Sequence, residues 1–382
     1  MTKKKHTRAN NGMGSIRQRP DGRWEARYTT PDGRQRSVYS KTEAEVTKKL
    51  RAQLHDLDTG LWREPSKIRM ADWFEIWLKD YQGHNADRTI LKYRSIVNNH
   101  FVPMLGQLKV SSVLPMHIRR VVNDLQSNRL APVTIRNYVR ILGACFQCAI
   151  DAGLIRENPV DGVKVPRMTR TKFTIIDRAD IPAFIEAAQN TPYPNELLLM
   201  FYTGLRVGEI RGLKWGDCDL DVGIMNVERQ LHPINHDLKR FTAPKYGEVR
   251  TIHIADEAVD VLRIQRRRQL EQRLASGDWE DDEVTSDLVF RLPNGHAHND
   301  RTIYKAVKAV GKAIGKPELH PHDLRHSYAV AALRSGVDVK TVQHNLGHKT
   351  AQMTLDVYAA YTEDAGKEGA GKLSDYLKKS QK

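Results

Sequence analysis

The stretch LGHKTAQMTLDVYAAY (residues 346–361) holds a histidine, His348, and two tyrosines, Tyr358 and Tyr361. Tyrosines three residues apart share one side of a helix, where they usually pack. Two further islands carry cations. TGLRVGEIRGLKW contributes Arg206, Glu209 and Arg211, and HPHDLRHSYA contributes His322 and Arg325, a helical turn apart, with Pro321 at a first helical position. There is no paired-carboxylate signature, no phosphate-binding glycine loop and no Ser-His-Asp order. His320, His322, His326 and His348 lack carboxylates at the spacing of metal motifs, so no metal is expected. What remains is two arginines, two histidines, a lysine and a tyrosine, a set suited to metal-free attack on a phosphodiester. Arginines clamp the non-bridging oxygens and offset charge that builds in the transition state. Tyrosine supplies the nucleophile. With a pKa of about 10, roughly a thousandth of a phenol is ionised at pH 7, so a base and nearby cations must assist.

Elements must bring these islands together. From residue 178 the pattern is mixed and mainly helical. It predicts helices at 178–190, 193–204, 255–275, 301–315, 321–335, 337–346 and 350–361, and strands at about 223–230 and 248–254 with Lys245 between them. Residues 66–160 read as an all-helical bundle, with helices near 70–82, 87–102, 116–128 and 132–152 and short loops. Residues 161–172 read as an exposed linker. Earlier still, Pro-Asp-Gly occurs at 20–22 and 31–33 between alternating segments, which predicts a three-stranded meander. Ser40 with Glu43 forms a capping box for a following helix, giving a β-β-β-α unit over 14–62 after a flexible basic arm, 1–13.

The 382 residues suit two or three domains, and no apolar run approaches the roughly 18 residues of a membrane span. No secretory signal is visible at the N-terminus, so a cytoplasmic protein is expected. The three cysteines argue against a disulfide framework, and Cys145 and Cys148 fall within a helical apolar pattern that predicts packing. The net charge of +15 is uneven. Residues 1–64 carry +7, 65–165 carry +6 and 166–382 only +2. Such a basic half suggests a grip on nucleic acid. Its candidate DNA contacts are Arg17, Arg19, Arg23, Arg27, Arg34 and Arg36 on the meander, laid as a ribbon in a groove, and Lys92, Arg94, Arg136 and Arg140 on the bundle.

TGLRVGEIRGL, HDLRHS and LGHKTAQMTLDVY, in this order and spacing, closely resemble the boxes of the tyrosine recombinases, the phage integrase family. The helical region resembles that family's core-type DNA-binding domain, a SAM-like bundle, and the β-β-β-α unit resembles the arm-type domain of phage and mobile-element integrases. The resemblance implies a multidomain fold whose catalytic domain, 173–363, is mainly helical with some strand. It implies Arg206 and Arg325 as the two catalytic arginines, His322 as the histidine that helps deprotonate the nucleophile, His348 on the scissile phosphate and Tyr358 as nucleophile. Lys245 matches the family's general acid in APKYGEVRTIHI, although the residues after it depart from the usual Thr- or Ser-rich stretch and Lys239 lies close by. Glu209 is read as orienting its neighbours. The implied activity is site-specific DNA integration and excision through a 3′-phosphotyrosine, with no ATP, metal or other cofactor. The implied partners are core-type and arm-type duplex sites, three further protomers in a homotetramer, a DNA-bending host factor and a directionality factor, in the nucleoid-associated cytoplasm of a bacterial host. The tail, 364–382, is expected to pack on a neighbouring protomer. The rival readings are a chromosome-dimer resolvase of the same family, a type IB topoisomerase and a catalytically inactive DNA-binding regulator.

Overall fold

The computed structural model describes residues 14–60, 66–83, 85–168, 173–235, 238–244 and 249–361. The basic arm, Lys245 and the tail 364–382 lie outside the described residues. The chain forms two units, the first ending at Met168.

The first unit opens with strands β1 (Ser15–Gln18), β2 (Trp24–Thr29) and β3 (Gln35–Ser40), an antiparallel meander in the order β1-β2-β3. Its two Pro-Asp-Gly turns place Gly22 and Gly33 at φ +78°, a conformation that favours glycine. Helix α1 (Glu43–Asp58) covers one face, packing Val46 and Leu50 on Ala26 and Tyr28. The cap differs from the expected box. Strand β3 runs through Ser40, so the helix starts later and Thr42 is its N-cap, accepting from the Glu45 amide at 3.3 Å. The Ser40 hydroxyl donates instead to the Glu45 carboxylate at 2.5 Å.

The bundle follows. Helix α2 (Met70–Ile76) runs into a π-helical turn, Trp77–Tyr81. Helix α3 (Asp87–Ile96) does the same at Val97–Phe101 before the short α4 (Val102–Leu105). Helices α5 (Pro115–Ser127) and α6 (Pro132–Asp151) close the core on Trp73, Phe74, Trp77, Phe101 and Phe146. Cys145 is buried in that core, and desolvation pushes its thiol well up, which suits packing rather than reactivity. Val160, Val163 and Val165 also pack on the bundle, so the start of the expected linker is held down.

The second unit runs α7 (Ile181–Gln189), α8 (Pro194–Thr203), α9 (Val207–Gly212), β4 (Cys218–Asp219), β5 (Ile224–Val227), β6 (Gln230–Asn235), β7 (Leu238–Thr242), β8 (Arg250–His253), α10 (Asp256–Ala275), α11 (Asp300–Ala313), α12 (Pro321–Arg334), α13 (Val339–Leu346) and α14 (Ala351–Tyr361). Strands β4, β5 and β8 form one antiparallel sheet, and β6 and β7 pair as a separate hairpin that the sequence pattern did not predict. Helix α8 is buried at most positions and lies at the centre of the larger core. A smaller core of Ala329, Val330, Val342, Leu346 and Val357 joins α12, α13 and α14. Among the described residues no helix is long and apolar enough to cross a membrane.

Candidate active site

Helix α8 ends at Gly204, φ +66°, where a Cβ would sit 2.6 Å from Cδ1 of Tyr328. The chain can therefore turn tightly against α12 and deliver Arg206 to the N-cap of α9. The Arg206 amide donates to the Glu209 carboxylate at 2.9 Å, and its Nη1 donates to the same group at 2.7 Å. Its Nη2 donates to the Gly347 carbonyl at 2.9 Å.

Arg325 lies early in α12 and is almost fully buried. Its Nη1 donates to the Gly204 carbonyl at 2.8 Å, and its Nη2 to the Leu346 carbonyl. Its buried Nε has no acceptor among the described residues. Burial first, and then the neighbouring Arg206, push this guanidinium down to about 9. It is still charged at neutral pH.

A third arginine joins them. Arg250, the first residue of β8, donates from Nη1 and Nη2 to Glu209 at 3.1 and 2.9 Å, and from Nε to the Asn345 carbonyl at 2.8 Å. Two guanidinium groups, those of Arg206 and Arg250, thus share one fully buried carboxylate, and its charge also acts on nearby Arg325. Arg250 holds that carboxyl below its usual range against the opposing pull of burial. Sequence reasoning missed Arg250. The signal was present, because strand alternation puts it on the inward face with Ile252, opposite Thr251 and His253.

His348 follows directly. Its Nδ1 lies 2.9 Å from the hydroxyl of buried Thr354, which was also missed. Burial, then Arg325 and Arg206, push His348 down to about 3, so its imidazole is neutral at physiological pH. Tyr358 stands one helical turn past Thr354 on α14 and is half-buried. His322 is exposed in the first turn of α12, its ring edge-on to buried His326 with centroids 4.7 Å apart. Burial and then His322 lower His326 to about 3 as well. Arg211 points elsewhere, tying α9 to the Leu231 and His298 carbonyls at 3.0 and 2.9 Å. The structure therefore brings Arg206, Glu209, Arg325 and His348 into one cluster, with His322 and Tyr358 on helices packed around it. Lys245 falls between β7 and β8, outside the described residues, and Lys239 lies on β7.

The expected DNA contacts divide by position. Register puts Arg17 and Arg27 on the outer face of the meander with Glu25, and Arg36 on the face that α1 covers, opposite Tyr28. Arg23 and Arg34 pair with the turn residues Asp21 and Asp32, and Arg19 lies over the Tyr39 ring. On the bundle Lys92 is exposed, Arg94 bonds Glu75, Arg136 reaches the Pro166 carbonyl and Arg140 bonds Asn137.

The chain belongs to the phage integrase family, which it matches over residues 174–364, and it matches the phage integrase N-terminal SAM-like domain over residues 70–126. It is a site-specific tyrosine recombinase. Over 340 residues it is 27% identical to a tyrosine recombinase XerC-like protein of Caldanaerobacter subterraneus subsp. tengcongensis, covering 85% of this chain and 87% of that one. Over 360 residues it is 27% identical to the phiRv2 prophage integrase of Mycobacterium tuberculosis, covering 90% of each. The fold is shared with the Tn1549 transposon integrase, solved in complex with a circular intermediate DNA, at a TM-score of 0.69 and 20% identity over 80% of this chain and 100% of that one. It is also shared with the lambda integrase tetramer bound to a Holliday junction, at a TM-score of 0.56 and 16% identity over 92% and 96% of the two chains.

Proposed function

We propose that this recombinase integrates and excises a mobile DNA element in a bacterial cytoplasm, and that Tyr358 is its nucleophile. The observation that carries the site assignment is the cation surplus. Arg206 and Arg250 are hydrogen-bonded to a single carboxylate, Glu209, while Arg325 beside them donates only to the Gly204 and Leu346 carbonyls, and its buried Nε faces no acceptor among the described residues. A phosphodiester brings the missing negative charge and acceptor oxygens.

In this mechanism Arg206 and Arg325 clamp the non-bridging oxygens. With Nδ1 accepting from the Thr354 hydroxyl, neutral His348 carries its proton on Nε2 and donates to the phosphate. His322 takes the Tyr358 proton as Oη attacks phosphorus. A P–O bond forms to Tyr358, the P–O5′ bond breaks, and the leaving oxygen takes a proton from Lys245 to become a free 5′ hydroxyl. The 5′ hydroxyl of a partner strand then reverses the step, so bond energy is conserved. Four protomers on two sites exchange the strands. The outer face of the meander engages arm-type DNA and the bundle engages core-type DNA. The β-β-β-α unit favours an integrase over a chromosome-dimer resolvase, which usually lacks a separate arm-binding unit.

The test is a nicked suicide duplex carrying the element's attachment site. Wild-type protein is expected to accumulate a covalent adduct, Tyr358→Phe to form none, and Tyr361→Phe to retain it. An adduct that maps to any residue other than Tyr358 overturns the assignment.

A further inference from the structure

We infer that Arg250 is a positioning residue for strand cleavage: it locks the end of α13 and the Arg206–Glu209 pair in the arrangement that receives the phosphate. The inference rests on the phosphodiester reading above and adds to it a residue that never touches DNA.

The last carbonyls of a helix have no partner within it. At the end of α13, three successive carbonyls are each taken by a different arginine. Asn345 accepts from Arg250, Leu346 from Arg325 and Gly347 from Arg206. Gly347 adopts φ +59°, and a Cβ there would stand 3.0 Å from Nη1 of Arg250, so the turn needs glycine to let this guanidinium approach. His348 is the next residue.

The three arginines are not equivalent. Arg325 keeps a buried Nε without an acceptor among the described residues, whereas all three nitrogens of Arg250 donate inward, one to Asn345 and two to Glu209. The Glu209 carboxylate in turn accepts from the Arg206 amide and Nη1. Arg250 therefore connects the two supports of the site, the α9 N-terminus carrying Arg206 and the α13 end leading to His348. Arg250 and His348 also line one open cleft of about 350 Å³. The planar fork of a guanidinium meets both a carboxylate and a carbonyl at once, which the point charge of lysine does not.

Single-turnover cleavage of the suicide duplex by the full chain tests this. Arg250→Lys is expected to slow adduct formation about 30-fold or more at saturating DNA, because misplacing catalytic groups costs rate more than affinity. Its Kd for the duplex should stay within about threefold of wild type, as expected for a side chain without a phosphate contact. Arg250→Ala should be slower still and should recover part of its rate with millimolar guanidinium ion. A wild-type rate in Arg250→Lys, or a defect confined to Kd, overturns the inference. Loss of the fold in both variants, read by thermal melting, assigns Arg250 to stability and overturns it too. If the wild type forms no adduct, the phosphodiester reading itself falls, an outcome distinct from an unaffected Arg250→Lys.

Discussion

Glu25 and Glu209 solve the same problem in opposite surroundings. Each gathers arginines around one carboxylate. Glu25, at the centre of the outer face of the meander, accepts from Arg17 Nε at 2.6 Å, Arg27 Nε at 3.2 Å, Ser37 at 2.9 Å and Tyr39 at 3.2 Å. Its own side chain is covered, but those of Arg17 and Arg27 are 57% and 39% exposed. Around Glu209 the corresponding values are 16% for Arg206 and 3% for Arg250. Water screens the first cluster and not the second. The first is suited to hold side chains loosely on the surface proposed to meet DNA, the second to fix a few atoms in the proposed reaction centre.

Glu209→Gln should produce the largest difference between them. Removing one partner of a buried ion pair typically costs about 3–5 kcal/mol, and here two guanidinium groups, Arg206 and Arg250, lose their shared counter-charge. A fall in melting temperature on the order of 10 °C is expected. Adduct formation should drop about 100-fold or more, as for other preorganised charge-stabilising groups. Calorimetry and the suicide duplex check these. A Glu209→Gln protein that melts and cleaves like wild type would falsify the view that this carboxylate organises the site.

Acid should separate the regions next. His326 and His348 are lowered from an ordinary 6.5 to about 3, chiefly by burial. In the unfolded chain they take up protons near pH 6.5, and in the folded chain only near 3. Their contribution to stability is thus complete above about pH 6.5 and is lost as pH falls towards 3. Glu25 is lowered from 4.5 to about 2, first by its hydrogen bond from Arg17, so its contribution is complete above about pH 4.5 and fades towards 2. Between pH 6.5 and 5 the α12–α14 region should lose hydrogen-exchange protection, corrected for intrinsic rates, while β1–β3 keeps it. The same loss in both regions would contradict this ordering.

How much of this was legible in the sequence follows from the range of the forces involved. Helices α12 to α14 and the islands that carry Arg206, Arg325 and His348 could be expected because motifs and caps are local, whereas the roles proposed for those residues came only from the family resemblance. The π-helical turns in the bundle could not, since they leave the apolar pattern of residues 70–102 almost unchanged. The β6–β7 hairpin was hidden for another reason. HPINHDLKR is mostly polar, and the apolar partners of buried Leu231 and half-buried Phe241 include residues far along the chain, Leu288 and Ala297. Arg250 meets Glu209 and Asn345, partners distant in sequence on both sides, so nothing in its immediate neighbours announced its part. Thr354 belonged to a quoted motif, yet its bond to His348 depends on how α14 folds back after the α13 turn.

The smallest expected effect is that of Glu25→Gln, and it is the sharper check because two outcomes must occur together. Glu25 is covered but its arginines are partly exposed and screened, so the melting temperature should fall by about 5 °C or less, clearly less than for Glu209→Gln. The amide keeps the shape but removes the charge that restrains Arg17 and Arg27. Affinity for non-specific duplex at low salt should therefore rise about twofold to threefold, with the salt slope of binding steepening by up to about one ion. Fluorescence anisotropy of the full chain across a salt series measures both. A destabilisation as large as that of Glu209→Gln would mean that the outer face is held as rigidly as the reaction centre. An unchanged salt slope would mean that Arg17 and Arg27 gain no phosphate contact when released, and the meander would then have to grip DNA through its turn arginines, Arg19, Arg23 and Arg34.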